Sequence, residues 1–237
     1  MYQLDTYTFK ARLLPTFIVI FPLVLVPVVI YPNSIDIWKF LAAICVSFGA
    51  TALLAQIGRD KGKKAEPGLF QSWGGKPTTL MLSHQHSLLS KSTLQRYHSK
   101  LGQRIVGIAI PTALEERQNL DKAFEVYDSC TDYLREQTRD QSKFRLVFAE
   151  NINYGFRRNL WAMKEAGVFL SFAGLFISAG IFAYGYTDHR TVAVLPLIAG
   201  LICSALLSLW LLRINPEWVK VAADAYAERL LATLDSV

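Results

Sequence analysis

The sequence predicts an all-α, four-span helical membrane protein with a mostly helical domain between its second and third spans. Three observations predict it. Four apolar stretches of about twenty residues stand in pairs at the two ends, a basic polar block of about a hundred residues separates the pairs, and apolar residues in that block recur at helical spacing.

The first stretch, residues 13–31, reads LLPTFIVIFPLVLVPVVIY. At about 1.5 Å per residue, its length matches the roughly 30 Å of bilayer hydrocarbon. The apolar run is too long for the core of a signal peptide, and no small-x-small cleavage site precedes the second stretch, so it reads as a retained helix. Pro15, Pro22 and Pro27 fall inside it. Each removes a backbone donor, and in lipid the freed carbonyl needs a partner on a neighbouring helix or in a wet cavity. Such prolines are common in membrane helices. The functional alternative is a bent hinge or pore lining built on these three.

The second stretch is residues 37–57, the third 166–186 and the fourth 191–212. Gly167, Gly174, Ser178 and Gly180 in the third, and Gly200, Ser204 and Ser208 in the fourth, allow close helix approach. These limits divide the chain into a transmembrane hairpin (1–57), a basic domain (58–165), a second hairpin (166–213) and a C-terminal amphipathic helix (214–237).

Charge gives an expected orientation. Residues 58–165 hold 18 Lys plus Arg against 12 Asp plus Glu, whereas the short loops at 32–36 and 187–190 carry only Asp36, Asp188 and Arg190. By the positive-inside rule the block is cytoplasmic. Four spans then place both termini on the same side, where Lys10, Arg12, Arg213, Lys220 and Arg229 agree. Cys45, Cys130 and Cys203 are isolated, which excludes a disulfide framework or a thiolate zinc site, and Cys130 reads as a small core residue.

Within the block, positive charge is concentrated immediately after the second stretch. Arg59, Lys61, Lys63, Lys64, Lys76, Arg96 and Lys100 all precede residue 105, along with only two acidic residues, Asp60 and Glu66. Gly62, Pro67, Gly68, Gly74, Gly75 and Pro77 predict an irregular segment with no long helix before Thr79. Loops with lysines suit phosphates. SWGGKPTT lacks the first glycine and preceding strand of a nucleotide-hydrolysing loop, so that chemistry is excluded. The competing reading of the basic run is simple anchoring to anionic lipid. His84, His86 and His98 lack a carboxylate at helical spacing, so no metal is expected.

Leu94, Tyr97 and Leu101 predict an amphipathic helix over 87–104. Thr112 and Glu115 form a capping-box pattern, and Phe124, Tyr127, Thr131 and Leu134 predict a helix over 121–139. A further helix is expected over 144–164. There Asn151, Asn153, Arg157, Arg158 and Asn159 are too numerous to bury idly, and Tyr154, Phe156 and Trp161 suit a headgroup boundary. After Asn215 and Pro216 the last segment reads as amphipathic, with Trp218, Val221, Ala222, Ala225, Leu230 and Leu234 on one face. It is expected to lie on the membrane or pair with copies of itself.

No nucleophile-and-base arrangement or zinc-protease motif is present, and no acidic residue lies in the spans as a proton-coupled carrier requires. The chain therefore reads as a non-enzyme without a cofactor. Four closely packed spans are too few to enclose a substrate path, so a pore requires a homo-oligomer, with a tetramer as the expected stoichiometry.

The paired N-terminal spans followed by RDKGKK, SWGGKPTT and the segment ending NYGFRRNLWAMK resemble small membrane proteins of bacterial anti-phage defence loci. The chain is similar to the channel-forming effectors of Hailong-type systems. The resemblance covers the layout of the whole chain. It implies an inner-membrane ion channel with a cytoplasmic, nucleic-acid-binding gate, and a partner nucleotidyltransferase whose DNA oligomer holds the channel closed. The expected ligand is short single-stranded DNA or a nucleotide signal. Its expected site comprises Arg59, Lys61, Lys63, Lys64, Lys76, His84, His86, Arg96 and Lys100, with Arg157 and Arg158 in support. A membrane scaffold or assembly factor and a small carrier are the competing classes.

Overall fold

The computed structural model describes residues 6–30, 37–187 and 194–236, with side chains described throughout except at 27–30, 37–52, 54 and 187. It is all-helical, 84 % helix, with no strand among the described residues. The helices are α1 (Leu14–Ile30), α2 (Ile37–Ser72), α3 (Pro77–Leu82), α4 (Lys91–Arg104), α5 (Ala113–Gln118), α6 (Leu120–Gln137), α7 (Arg145–Ala162), α8 (Lys164–Thr187), α9 (Val194–Ser208) and α10 (Pro216–Ala232). They form two compact units. One comprises Met1–Ala65 with Gly155–Val219, the other Glu66–Tyr154 with Lys220–Val237.

Three stretches of the first unit are long and apolar enough to cross a membrane: Thr8–Val26, Lys164–Tyr186 and Val194–Arg213. They correspond to the first, third and fourth apolar stretches. The second stretch opens α2, and most of its side chains lie outside the described residues.

In the first unit α1, α8 and α9 pack on one another. Small residues permit this. A Cβ at Gly174 would fall 2.8 Å from the sulfur of Cys203 and 3.3 Å from Pro22, and one at Gly167 would fall 2.3 Å from the Trp210 ring. Pro15 is not a simple helix breaker, because a π-helical turn, Thr8–Leu13, leads into α1 ahead of it. Its missing N–H leaves the Ala11 carbonyl without the helical donor four residues on, and the Asn159 side-chain amide donates to that oxygen at 2.8 Å. Pro15 and Pro22 are both buried, while the side chain of Pro27 lies outside the described residues.

The expected irregular segment after residue 57 is instead helix, since α2 continues to Ser72. Gly58 and Gly62, four apart, lie on one face of it against Met163, just past α7, and Asn159 of α7. A Cβ at Gly58 would fall 2.7 Å from the Met163 sulfur, and one at Gly62 only 2.1 Å from Asn159 Oδ1. These glycines serve close approach, which offsets a propensity loss of about 1 kcal/mol each. Pro67 lies among exposed residues, Lys63 and Gly68 included, where water can serve the freed carbonyl. The helix ends where Gly74 and Gly75 adopt φ of 82° and 152°, values that side-chain-bearing residues avoid.

The second unit has its own core. Leu94, Tyr97 and Leu101 of α4 and Tyr127, Thr131 and Leu134 of α6 are buried, as the helical stripes predict, whereas Phe124 is only partly buried; Cys130, expected as a small core residue, is buried as well. The capping box forms at Thr112 and Glu115 but starts the short α5, and Asn119 then caps α6 by accepting from the Lys122 N–H at 3.0 Å. The C-terminal helix differs from expectation. Val219, Ala222, Ala223, Ala227, Leu230 and Leu231 are its buried side, whereas Val221 is 62 % exposed. Ala227, Leu230, Leu231 and Leu234 belong to the core of the second unit, so this part of the chain packs internally rather than offering that face to a membrane or a copy.

Candidate functional site

The residues expected to bind an anion fall into three environments. Arg59, Lys61, Lys63 and Lys64 lie on α2 in the first unit, and none makes a hydrogen bond or ion pair with a described residue. Gly58 and Gly62 turn one side of α2 toward α7, and the intervening positions are left to face outward. Four cations within six residues, with one acidic neighbour at Asp60, make this the strongest uncompensated positive charge among the expected ligands.

Lys61 and Lys64, three apart and so on one face, line a groove of about 920 Å³. Trp161 contributes from α7, and Lys164, Glu165, Val168, Phe169 and Phe172 contribute from α8. The Lys164 ammonium lies 5.4 Å from the centre of the Trp161 ring and donates to the Ile214 carbonyl at 2.7 Å. Lys164, Trp161 and the two phenylalanines were not among the expected ligands. Their signal is the change from FRRNLWAMK to an apolar helix, which puts aromatic and cationic groups beside one another.

Arg157 and Arg158, expected as support, serve packing in the first unit. Arg157 donates to the Trp218 carbonyl at 2.8 Å, with its guanidinium 4.9 Å from the centre of the Trp218 ring. Arg158 is only 7 % exposed and donates through Nε and Nη2 to Asn159 Oδ1, at 3.2 and 3.1 Å. Asn159 thereby joins α7 to the proline-freed carbonyl of the first span.

In the second unit the expected ligands have internal partners. Lys76 ion-pairs with Asp128, which also accepts from the Thr79 hydroxyl. Arg96 and Lys100 both bind Asp235, at 3.1 and 2.7 Å, and Lys100 also donates to the Leu234 carbonyl at 3.1 Å. These pairs hold the C-terminal end of the chain on α4, and they keep the Asp235 carboxyl below the usual range, chiefly through the Lys100 hydrogen bond.

The histidines surround a buried carboxylate that the sequence reading passed over. Glu116 is 0 % exposed and accepts from Ser83 Oγ at 2.6 Å, Tyr127 Oη at 2.8 Å, and the backbone N–H groups of His84 and Gln85 at 2.8 and 3.2 Å. Burial alone pushes its carboxyl up, but these four bonds together pull it below the ordinary value. The His84 and His98 rings lie edge to face at 4.8 Å. His98 bonds the Leu82 carbonyl at 2.7 Å and stacks on Tyr127, while His84 bonds the Pro111 carbonyl at 3.0 Å. His86 meets Ser83 Oγ at 3.2 Å and turns toward Phe124. Burial lowers the pKa of His98 and raises that of Tyr127, so both stay neutral at neutral pH. The Cys130 thiol, fully buried, is pushed up to about 11 and is held as the unreactive thiol. This cluster is a satisfied polar core that ties Ser83 to α5 and α6.

Compared with family models, characterised proteins and solved structures, the chain matches none.

Proposed function

We propose that the chain is an oligomeric membrane channel switched by an anionic nucleic-acid or nucleotide ligand. In this reading the second apolar stretch is a fourth span, the central polar region and both termini are cytoplasmic, and four copies enclose the pore in a bacterial inner membrane. The anti-phage role and the partner nucleotidyltransferase follow the resemblance to Hailong-type effectors.

The observation that carries the reading is the cationic turn of α2. Arg59, Lys61, Lys63 and Lys64 have no hydrogen-bond or ion-pair partner among the described residues and directly follow the second apolar stretch on the same helix. An anion captured there pulls on a span without any further linkage. Lys76, Arg96 and Lys100 are secondary, because a ligand must first displace Asp128 or Asp235.

The test is single-channel recording of the reconstituted protein with and without short single-stranded DNA. Ligand-dependent current is expected, and replacing the four α2 cations by alanine should remove the dependence while leaving current. Absence of current under every ligand condition overturns the channel in favour of a membrane scaffold. That second reading has its own support: the free cations stand where an apolar helix would leave a bilayer, which also suits attachment to anionic lipid.

A further inference from the structure

The groove beside α8 joins a cationic rim to an apolar wall. Lys61 and Lys64 form its rim, with Lys164 held against Trp161. Its wall is Val168, Phe169 and Phe172, on a helix long and apolar enough to cross a membrane. Phe169, Phe172 and Phe176 recur at i, i+3 and i+7, are 69 %, 59 % and 72 % exposed, and continue the wall away from the lysines.

We propose that this groove holds one anionic phospholipid, its phosphate against Lys61 and Lys64 and an acyl chain along Phe169, Phe172 and Phe176. Three lysines less Glu165 leave a local charge of +2, which complements a phosphodiester. Lys164 sits at the first residue of α8, and Trp161 lies one turn before it, where an indole suits the headgroup level. At about 920 Å³ the groove exceeds what a phosphate alone would fill. A nucleic acid is the poorer occupant, since its charged backbone would lie against three phenylalanines without a partner for its further phosphates. Basic pockets beside membrane helices are a recurrent form of headgroup recognition. The inference rests on the membrane placement proposed above, is independent of whether the chain conducts, and leaves Arg59 and Lys63 as the α2 cations open to a nucleic-acid ligand.

Native mass spectrometry of the full-length protein in mild detergent provides the test. Phosphatidylglycerol should remain bound through delipidation, and phosphatidylcholine should not. Inorganic phosphate and a short single-stranded oligonucleotide, each added in excess, should fail to displace it, because neither fills the apolar wall. Lys61→Ala with Lys64→Ala should weaken retention about thirtyfold, from roughly fivefold per lysine. Lys91→Ala, an exposed residue of the second unit outside the groove, should leave it unchanged. Equal retention of phosphatidylcholine, full displacement by phosphate or oligonucleotide, or an equal loss on Lys91→Ala would each overturn the proposal. The headgroup comparison uses the unmodified chain, so it decides the matter even where a variant misfolds. A protein that retains phosphatidylglycerol yet passes no current keeps this inference and loses the channel, and the converse result separates them the other way.

Discussion

Asn159 Nδ2 donates at 2.8 Å to the carbonyl oxygen of Ala11, the oxygen that Pro15 leaves without its α-helical donor. The same amide group accepts from Arg158 through Oδ1, so one buried side chain serves the π-helical turn ahead of α1 and a buried guanidinium together. Replacing Asn159 by leucine takes this donor from the Ala11 carbonyl and removes two of the hydrogen bonds of Arg158. The expected loss is about 1–3 kcal/mol, the cost of an unsatisfied buried polar group. In the Pro15→Ala background a backbone N–H can return to Ala11, so the loss should shrink by about 1 kcal/mol in a double-mutant cycle of detergent unfolding. Equal losses in the two backgrounds would remove the proposed link.

Two glycines of α2 should respond oppositely to alanine. A Cβ at Gly62 meets Asn159 Oδ1 at 2.1 Å, whereas nothing lies within 4 Å of one at Gly68. Gly62→Ala should therefore destabilise by about 1–3 kcal/mol through overpacking. Gly68→Ala should stabilise by about 0.5–1 kcal/mol through helix propensity. Thermal unfolding of the two variants side by side reads the contrast, and stabilisation by both would show that α2 does not approach α7 at Gly62.

Acid should unfold the second unit in two stages. His98 has a folded pKa below its ordinary 6.5, so its contribution is present above pH 6.5 and fades as pH falls from there toward the folded value. Glu116 has a folded pKa below its ordinary 4.5, so its contribution is present above 4.5 and is lost as pH falls through the folded value. His98→Gln should flatten only the first stage and Glu116→Gln only the second. Glu116→Gln should also cost about 1–3 kcal/mol at neutral pH, because its amide would face donors from Tyr127 and His84. Chemical denaturation followed at Tyr127 across pH 3–8 measures both stages.

If the α2 cations hold single-stranded DNA, affinity should fall with salt by a slope of roughly 0.7 per cation engaged. Converting Arg59 and Lys63, the two α2 cations outside the lipid groove, to alanine should reduce the log–log slope by about 1.4. Converting Lys76, Arg96 and Lys100 should change it much less, since each already faces a carboxylate. Fluorescence anisotropy against salt distinguishes the sets, and a larger change from the second would move the site to the second unit.

Several features were determined by the sequence alone. Apolar runs of membrane length produced the helices at 8–26, 164–186 and 194–213, and local periodicity produced α4 and α6 with Leu94, Tyr97, Leu101, Tyr127 and Leu134 inside. Such features depend on neighbours three and four residues apart, which a sequence displays. The tertiary structure alone decided which cations find a partner among the described residues. Lys76 meets a partner 52 residues away and Lys100 one 135 residues away, distances over which a charge count carries no pairing information. It also decided that Gly62 and Pro67 continue a helix, because a glycine read as a breaker becomes a close-approach position once Asn159 lies across from it. Burial of Glu116 was equally invisible, since its four donors come from Ser83, His84, Gln85 and Tyr127, and only folding brings them to one carboxylate.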